Sequence, residues 1–291
     1  MYRTLLFAPG SRPELLAKAQ LGGADALIFD LEDSVTLAAK PQARLNIAQV
    51  LAGGVKKPMF LRINHPNSGD YVSDLQVLVQ APGLHNVAGI ILPKARDAQD
   101  IAHMANALAD VEKSMDAASG TLKILPLIET CEGLRNTYEM AKASARVCGM
   151  SLASAEQGDF MVDLGGHWTP RSLALNYPRS KLVVDARAAG LQWVVDGVFM
   201  NLKDLDALRQ ECLMAKELGM VGKMAIHPTQ VALMHEVFSP SAAELEFAQG
   251  LIAAYREGEA KGVGAVTYQG IMVDYANVRL AQRTLSLAGV P

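Results

Sequence analysis

Aromatic residues are scarce in this chain, 5% of 291 positions, and neither sign of charge dominates. Lysine and arginine number 27 against 30 aspartates and glutamates, a formal net charge of −3. Binding to a nucleic-acid backbone needs a basic face, and no long run of Lys and Arg supplies one. There are three cysteines, at 131, 148 and 212, without a CxxC pair. That odd, scattered set suggests neither a disulfide framework nor a thiolate metal site. No uninterrupted apolar run approaches the roughly 20 residues of a helical membrane span. The opening MYRTLLFAPGSRPE is broken by Pro9, Gly10 and Arg12, unlike the apolar stretch of a secretory leader. The expectation is a soluble protein of the reducing cytoplasm, with no nucleic-acid or membrane partner.

Apolar residues are plentiful, at 50%, and so is glycine, at 24 residues. Short apolar runs alternate with longer helix-like stretches, the rhythm of βα units around a parallel sheet. Strands are predicted at Thr4–Ala8, Ala26–Phe29, Met59–Ile63, Val87–Leu92, Lys123–Ile128, Arg146–Ser151, Val194–Val198 and Lys223–Ile226. Helices are predicted at Pro13–Leu21, Pro41–Leu51, Asp97–Ser114, Gly133–Ala143 and Leu202–Leu218. Eight strands separated by helices favour an α/β fold of the (β/α)₈ TIM-barrel type over a doubly wound sheet. Composition changes after His227. Helices at Ala242–Tyr255 and Ala276–Leu285 flank a glycine-rich stretch and a brief extended segment at Ala265–Gln269. The expected organisation is a barrel over residues 1–238 and a small C-terminal segment over 239–291.

In such a barrel, residues just past the strand ends converge on one mouth. Here those positions hold Asp30, Glu32 and Asp33 after strand two, and Arg62 and Asn64 at the end of strand three. Lys94, Glu129 and His227 follow strands four, five and eight, with Glu156 and Asp159 in the loop after strand six. So much acid at one mouth repels itself unless a cation sits there, and hard divalent ions of the magnesium type take carboxylate oxygens. Glu129 and Asp159 are the preferred metal ligands, against the alternative that Glu129 merely caps the next helix or meets a basic neighbour. Arg62 suits a bidentate carboxylate clamp, or equally an ion pair with Asp30 or Glu32. Gly10, Ser11 and Arg12 offer a phosphate loop or an ordinary helix entry. Lys40 and Arg44, four apart, offer phosphate contacts or a solvated face. His227 is more readily a structural hydrogen-bonding residue, and Cys131 has no histidine beside it to make it a nucleophile.

The longer motifs are familiar as a set. LLFAPGSRPELLAKA from Leu5, ADALIFDLEDSV from Ala24, KPQAR from Lys40 and FLRIN from Phe60 cover the first part of the chain. ILPKA from Ile91, LPLIET from Leu125, GDFMVDLG ending at Gly165 and GKMAIHPTQV from Gly222 continue it. Together they resemble the citrate lyase beta-subunit-like family, the branch of the HpcH/HpaI aldolase superfamily that includes malyl-CoA and citramalyl-CoA lyases. The resemblance implies a Mg²⁺-dependent barrel enzyme, with Mn²⁺ possible, acting on a CoA thioester of a hydroxy-dicarboxylic acid. It implies Glu129 and Asp159 as metal ligands and Arg62 as the grip on the oxo-acid carboxylate. Asp30, Glu32 and Asp33 fall in the acidic motif around the metal waters, and Gly10, Ser11 and Arg12 near the coenzyme A mouth. Ala155-Glu156 departs from the aromatic and glycine usual at those places, adding bulk and charge.

QGIMVDYANVRLAQRTL from Gln269 resembles the C-terminal lid of the CoA-lyase branch. In that branch an aspartate, matched by Asp274, reaches the active site of a neighbouring subunit, which implies a homo-oligomer, a trimer or hexamer. Without the resemblance, Asp274 reads as a cap for the helix near Ala276. The expected reaction is cleavage of (S)-citramalyl-CoA to pyruvate and acetyl-CoA. Alternatives are an L-malyl-CoA/beta-methylmalyl-CoA lyase, a malyl-CoA thioesterase, a citrate lyase beta-like subunit working with an acyl carrier, and a non-catalytic metabolite-binding protein.

Overall fold

In the computed structural model, which describes residues 1–169 and 173–289, the eight predicted strands are all present. They are β1 (Thr4–Pro9), β2 (Ala26–Asp30), β3 (Met59–Arg62), β4 (Val87–Leu92), β5 (Lys123–Ile128), β6 (Met150–Leu152), β7 (Val194–Asp196) and β8 (Gly222–Ala225). Each pairs in parallel with its successor, and β8 pairs with β1, so the sheet closes into a barrel. Every residue of β2, ALIFD, is buried, as a strand covered on both faces requires. Among the described residues, no helix is long and apolar enough to cross a membrane.

Helix starts follow local chemistry. Asp97 accepts hydrogen bonds from the Gln99 and Asp100 N–H groups at 2.8 and 3.0 Å, opening Ala98–Ser114. Thr130 does the same for Cys131–Arg135 through the Gly133 N–H at 3.0 Å. The single helix expected over Gly133–Ala143 is two, Cys131–Arg135 and Thr137–Lys142, broken at Asn136. Among the described residues four helices escape the sequence reading, Tyr71–Gln76, Asp159–Leu164, Leu173–Ala188 and Val231–Phe238. Leu173–Ala188 contains Pro178, a residue that normally argues against a helix interior. Strand six is shorter and later than Arg146–Ser151 suggests, with Val147 making only an isolated bridge to Ile124.

Compactness divides the chain into Tyr2–His235 and a unit from Glu236 onward. The second unit has its own core, in which Leu251, Ile252 and Tyr255 of helix Ala242–Ala260 meet Val278, Ala281 and Leu285 of helix Tyr275–Leu287. Between those helices runs a hairpin of β9 (Val266–Tyr268) and β10 (Ile271–Val273). Its turn residues Gln269 and Gly270 both have positive φ, 47° and 79°, as a tight antiparallel turn of this twist demands.

Inside the barrel unit lies a closed group of charges. Asp196 on β7 and Lys223 on β8 are register partners, and the Lys223 ammonium is 2.6 Å from Asp196 Oδ2. Arg179 donates to both Asp196 oxygens at 2.9 Å and to Glu211 Oε1 at 2.6 Å. Burial works against ionisation of Asp196, but the two cations outweigh it and hold its pKa well below the usual carboxylate range. A depressed carboxyl contributes stability that is present above its unfolded pKa and is lost as pH falls through the folded one. Asp196→Asn is therefore expected to cost about 3–5 kcal/mol at neutral pH, because it leaves buried cations uncompensated. Urea denaturation at pH 7 and again below about pH 4 checks this, with the difference from wild type shrinking in acid.

Candidate active site

β2 ends at Asp30 and β3 at Arg62, and these two residues are register partners. The Arg62 guanidinium meets the Asp30 carboxylate as a fork, with Nε 2.6 Å from Oδ1 and Nη2 2.7 Å from Oδ2. Asp30 is fully buried and also accepts from the Glu32 N–H at 3.0 Å, the Ser34 N–H at 3.2 Å and the Ser34 hydroxyl. Burial raises its pKa, but Arg62 and these donors prevail and keep it lowered. Arg62 Nη1 lies 3.1 Å from Glu32 Oε2, and the Phe7 ring sits under the guanidinium, 4.8 Å from centroid to Cζ. The ion pair and the exposure to a cavity thus coexist in one side chain.

Lys94 follows β4 in a left-handed conformation, φ 49°, which costs a non-glycine residue about 1–3 kcal/mol. That bend sends its ammonium among the acids, 2.9 Å from Glu32 Oε1, 3.0 Å from Asp159 Oδ2 and 3.6 Å from Asp33 Oδ1. Burial lowers the Lys94 pKa, yet the hydrogen bonds it donates to Glu32 and Asp159 reverse this and raise it. Lys94 was visible in the sequence as a strand-end residue. Its position between three carboxylates follows only from closing the barrel.

Glu129, just past β5, is 3% exposed. Burial and then the nearby Glu32 push its carboxyl up to about 8, against the pull of Arg62 and Lys94. Ligand oxygens of Glu32, Asp33 and Glu129 all lie within 4.8 Å of one another. Asp159 begins the short helix Asp159–Leu164 and joins the group through Lys94. Glu32 Oε2 is buried without a well-aligned hydrogen bond. Five carboxyl groups (Asp30, Glu32, Asp33, Glu129 and Asp159) therefore surround two basic ones, Arg62 and Lys94. An excess of hard oxygen donors, one of them with its pKa raised by burial and a neighbouring carboxylate, fits a divalent cation of the Mg²⁺ type. A cavity of about 470 Å³ opens here, bounded by Asp30, Asp33, Arg62, Glu129 and Asp159. A second recess, of about 560 Å³, shares Glu129 and Asp159 and includes Lys94.

The remaining expected residues lie elsewhere. Gly10 is buried, and its N–H donates to the Asp30 carbonyl at 2.8 Å rather than to an anion. A Cβ there would stand 2.8 Å from Ile47 Cδ1 and 2.9 Å from the Asp30 oxygen, so close strand packing explains this glycine. Arg12 is exposed and pairs with Glu14 at 2.5 Å, while Ser11 is half-buried beside it. Lys40 is buried, its ammonium on the Leu31 carbonyl and on Asn64 Oδ1. Arg44 is held by Asp70 at 2.6 Å and Asp74 at 2.7 Å. In the structure the Gly10 N–H, the Lys40 ammonium and the Arg44 guanidinium all have internal partners. Glu156 is exposed and lines a separate small recess with Trp168 and Phe199 instead of the main cavity. His227 caps the turn Pro228–Gln230, and Cys131 lies exposed. Asp274 belongs to the C-terminal unit, where it is exposed and caps helix Tyr275–Leu287 through the Ala276 N–H at 2.8 Å.

Comparison with known proteins bears on this site. A model of the family described as HpcH/HpaI aldolase/citrate lyase matches residues 3–228, and one described as C-C bond lyase of the TIM-barrel fold matches 176–290. Citrate lyase subunit beta of Leuconostoc mesenteroides subsp. cremoris is 35% identical over 288 residues, covering 98% of this chain and 93% of that one. The L-malyl-CoA/beta-methylmalyl-CoA lyase of Rhodobacter capsulatus is 35% identical over 303 residues, covering 96% and 92%. The crystal structure of CitE from Mycobacterium tuberculosis in complex with magnesium, acetoacetate and coenzyme A superposes with a TM-score of 0.77 at 28% identity, covering 99% of this chain and 98% of that one. Fold, site and relatives together define a barrel enzyme of the carbon–carbon lyase class. The chain belongs to the HpcH/HpaI aldolase/citrate lyase family.

The raised Glu129 carboxyl gives a pH signature. Its folded pKa lies above the unfolded value, so the metal-free protein loses stability as pH rises from about 4.3 toward 8. A divalent ion must displace that proton, so Mg²⁺ affinity is expected to rise by up to about tenfold per pH unit up to about 8 and then level off. Calorimetry of Mg²⁺ binding in buffers of different ionisation enthalpy measures the released proton. In Glu129→Gln the pH dependence should weaken, with burial still raising Glu32 beside it, and most of the affinity should be lost.

Proposed function

We propose that the protein is a Mg²⁺-dependent lyase that splits a 3-hydroxy-dicarboxyl-CoA thioester, with (S)-citramalyl-CoA as first substrate and L-malyl-CoA as the alternative. The observation that carries this reading is the meeting of Glu32, Asp33 and Glu129 within 4.8 Å, next to Arg62, at a cavity that Asp33, Arg62 and Glu129 line together with several apolar side chains. The solved relative that holds magnesium and coenzyme A supports the same metal and carrier here.

Wall chemistry ranks the substrates. Among the described residues lining the main cavity Arg62 is the only basic one, and Asp30 and Glu32 already engage it. Phe7, Leu127, Val198, Met224 and Ile226 supply apolar surface. A methyl or hydrogen on the hydroxyl-bearing carbon suits that wall. The extra carboxymethyl of a citryl thioester would be buried there without a cation, which is costly. This favours the CoA-lyase reading over a citrate lyase beta-like subunit.

A divalent cation, when bound, supplies a positive pole for the substrate's hydroxyl and carboxylate oxygens and lowers the cost of charge gathering there. Arg62, held flat by Asp30 and Phe7, presents remaining N–H donors on Nη1 and Nη2 to that carboxylate. Glu32 is buried between Arg62 and Lys94 and fixes both. Asp33, with 60% of its side chain exposed, is placed to accept the hydroxyl proton. As that proton leaves, the hydroxyl carbon becomes the carbonyl of the oxo acid. The pair of electrons in the carbon–carbon bond then passes to the methylene beside the thioester, forming an enolate. A proton delivered to that carbon completes acetyl-CoA. The likeness of the C-terminal segment to the CoA-lyase lid supports Asp274 of a neighbouring copy, in a trimer or hexamer, as this last proton donor.

Purified protein with Mg²⁺ is expected to cleave citramalyl-CoA and malyl-CoA with kcat/KM within about 200-fold of each other, since one methyl discriminates by only about 1–3 kcal/mol. Citryl-CoA should be poorer than both. Absence of cleavage and of condensation in folded, metal-loaded protein would end the proposal. Asp274→Asn and Glu129→Gln chains, each inactive alone, should regain about a quarter of wild-type activity when co-assembled in equal amounts, if the lid serves a neighbour's site. No recovery would place Asp274 with its own barrel or outside the reaction.

A further inference from the structure

The buried residues beneath the acidic loop do something neither the metal nor the substrate contacts explain. The peptide linking Leu31 to Glu32 is held from two sides. On one side the Glu32 N–H donates to Asp30 Oδ1 at 3.0 Å, and on the other the Leu31 carbonyl accepts from Asn64 Nδ2 at 2.9 Å and from Lys40 Nζ at 3.2 Å. Lys40 also donates to Asn64 Oδ1. Asn64 in turn donates through its backbone N–H and its side-chain amide to Asp74 Oδ2, at 2.8 and 2.7 Å. Asp74 Oδ1 accepts from Arg44 Nε at 2.7 Å, and Arg44 Nη2 reaches Asp70 at 2.6 Å. Lys40, Asn64 and Asp74 are 7%, 3% and 0% exposed.

Two features make this chain of bonds more than packing. A buried ammonium loses much hydration, and a neutral donor such as an amide would serve to hold one carbonyl. The charge here lies directly under a loop that carries Asp30, Glu32 and Asp33 at consecutive or near-consecutive positions. The carbonyl it grips belongs to the residue immediately before Glu32, so its direction sets where the Glu32 and Asp33 side chains leave the backbone. Donors that fix the orientation of metal-side carboxylates commonly change affinity by about 10–100-fold when removed.

We propose that Lys40 is a positioning residue for the cation site, acting through the Leu31 carbonyl and Asn64 to aim Glu32 and Asp33, and that it makes no contact with coenzyme A. The inference rests on the divalent-metal reading above. Lys40 keeps the loop in the one conformation that gathers its carboxylates, and its positive charge offsets part of their mutual repulsion.

The test is Mg²⁺ binding to the full-length protein, by calorimetry at fixed pH, together with binding of free coenzyme A to the same samples. Lys40→Met is expected to weaken Mg²⁺ by about tenfold or more, with coenzyme A affinity unchanged. Lys40→Gln retains a neutral donor and should lose less, about threefold, which separates the bond from the charge. Should the methionine variant fail to fold, the glutamine variant is read by the same criterion. Mn²⁺ electron paramagnetic resonance should show a changed site symmetry in either folded variant, a signature that simple loss of stability does not produce. Unchanged Mg²⁺ affinity in the folded variants, or lost coenzyme A affinity with the metal site intact, overturns the inference. Failure of the wild-type protein to bind Mg²⁺ would instead overturn the metal reading itself.

Discussion

The fork between Arg62 and Asp30 is the constraint on which the rest of the mouth depends. Register places the two at adjacent strand ends, and burial makes each charge require the other. Once Asp30 is saturated by Arg62, Ser34 and the Glu32 N–H, the following residues have little freedom. Glu32 turns inward to the second face of the same guanidinium, and Asp33 turns outward to the cavity. An arginine whose plane is fixed by protein partners, with N–H donors left over, needs no reorganisation to meet the proposed substrate carboxylate.

Electrostatics then explains the apparent surplus of acid. Lys94 reaches in from β4 at a backbone cost and neutralises part of it, yet Glu129 still sits in surroundings that raise its pKa to about 8. Such tension is characteristic of places where a further positive group is to be accommodated. The buried group Arg179, Asp196, Glu211 and Lys223 makes an instructive contrast. There charges of opposite sign are matched one for one, Asp196 is driven the opposite way from Glu129, and the structure offers a scaffold role.

The C-terminal unit obeys different rules. Its two helices and hairpin make a small separate core, while Ile271, Met272 and Tyr275 around Asp274 are exposed at 51%, 72% and 60%. Apolar residues this open flank the carboxylate proposed to enter a neighbour's site. The structure also shows Asp274 in the role that local chemistry alone assigns it, capping its helix. Capping holds the carboxylate by one oxygen at the start of the helix, which does not prevent the other from facing outward.

The sequence by itself determined the fold class and the order of its elements, because buried parallel strands such as ALIFD and KILPLI are unbroken apolar runs and their ends are marked by polar or turn residues. It also placed Glu32, Asp33, Arg62, Glu129 and Asp159 at strand ends, since barrel geometry sends all such positions to one mouth. The helices Tyr71–Gln76 and Leu173–Ala188 were illegible for want of a clean period, the second carrying an internal proline. What only the tertiary structure decided was which side chains already have partners. Lys40 and Arg44 look from spacing like an exposed basic pair, but strand β3 and the segment after it bring Asn64, Asp70 and Asp74 against them. Hydrogen-bond partners 24 to 30 residues apart leave no local trace, so the internal pairing of Lys40 and Arg44 emerged only from the fold.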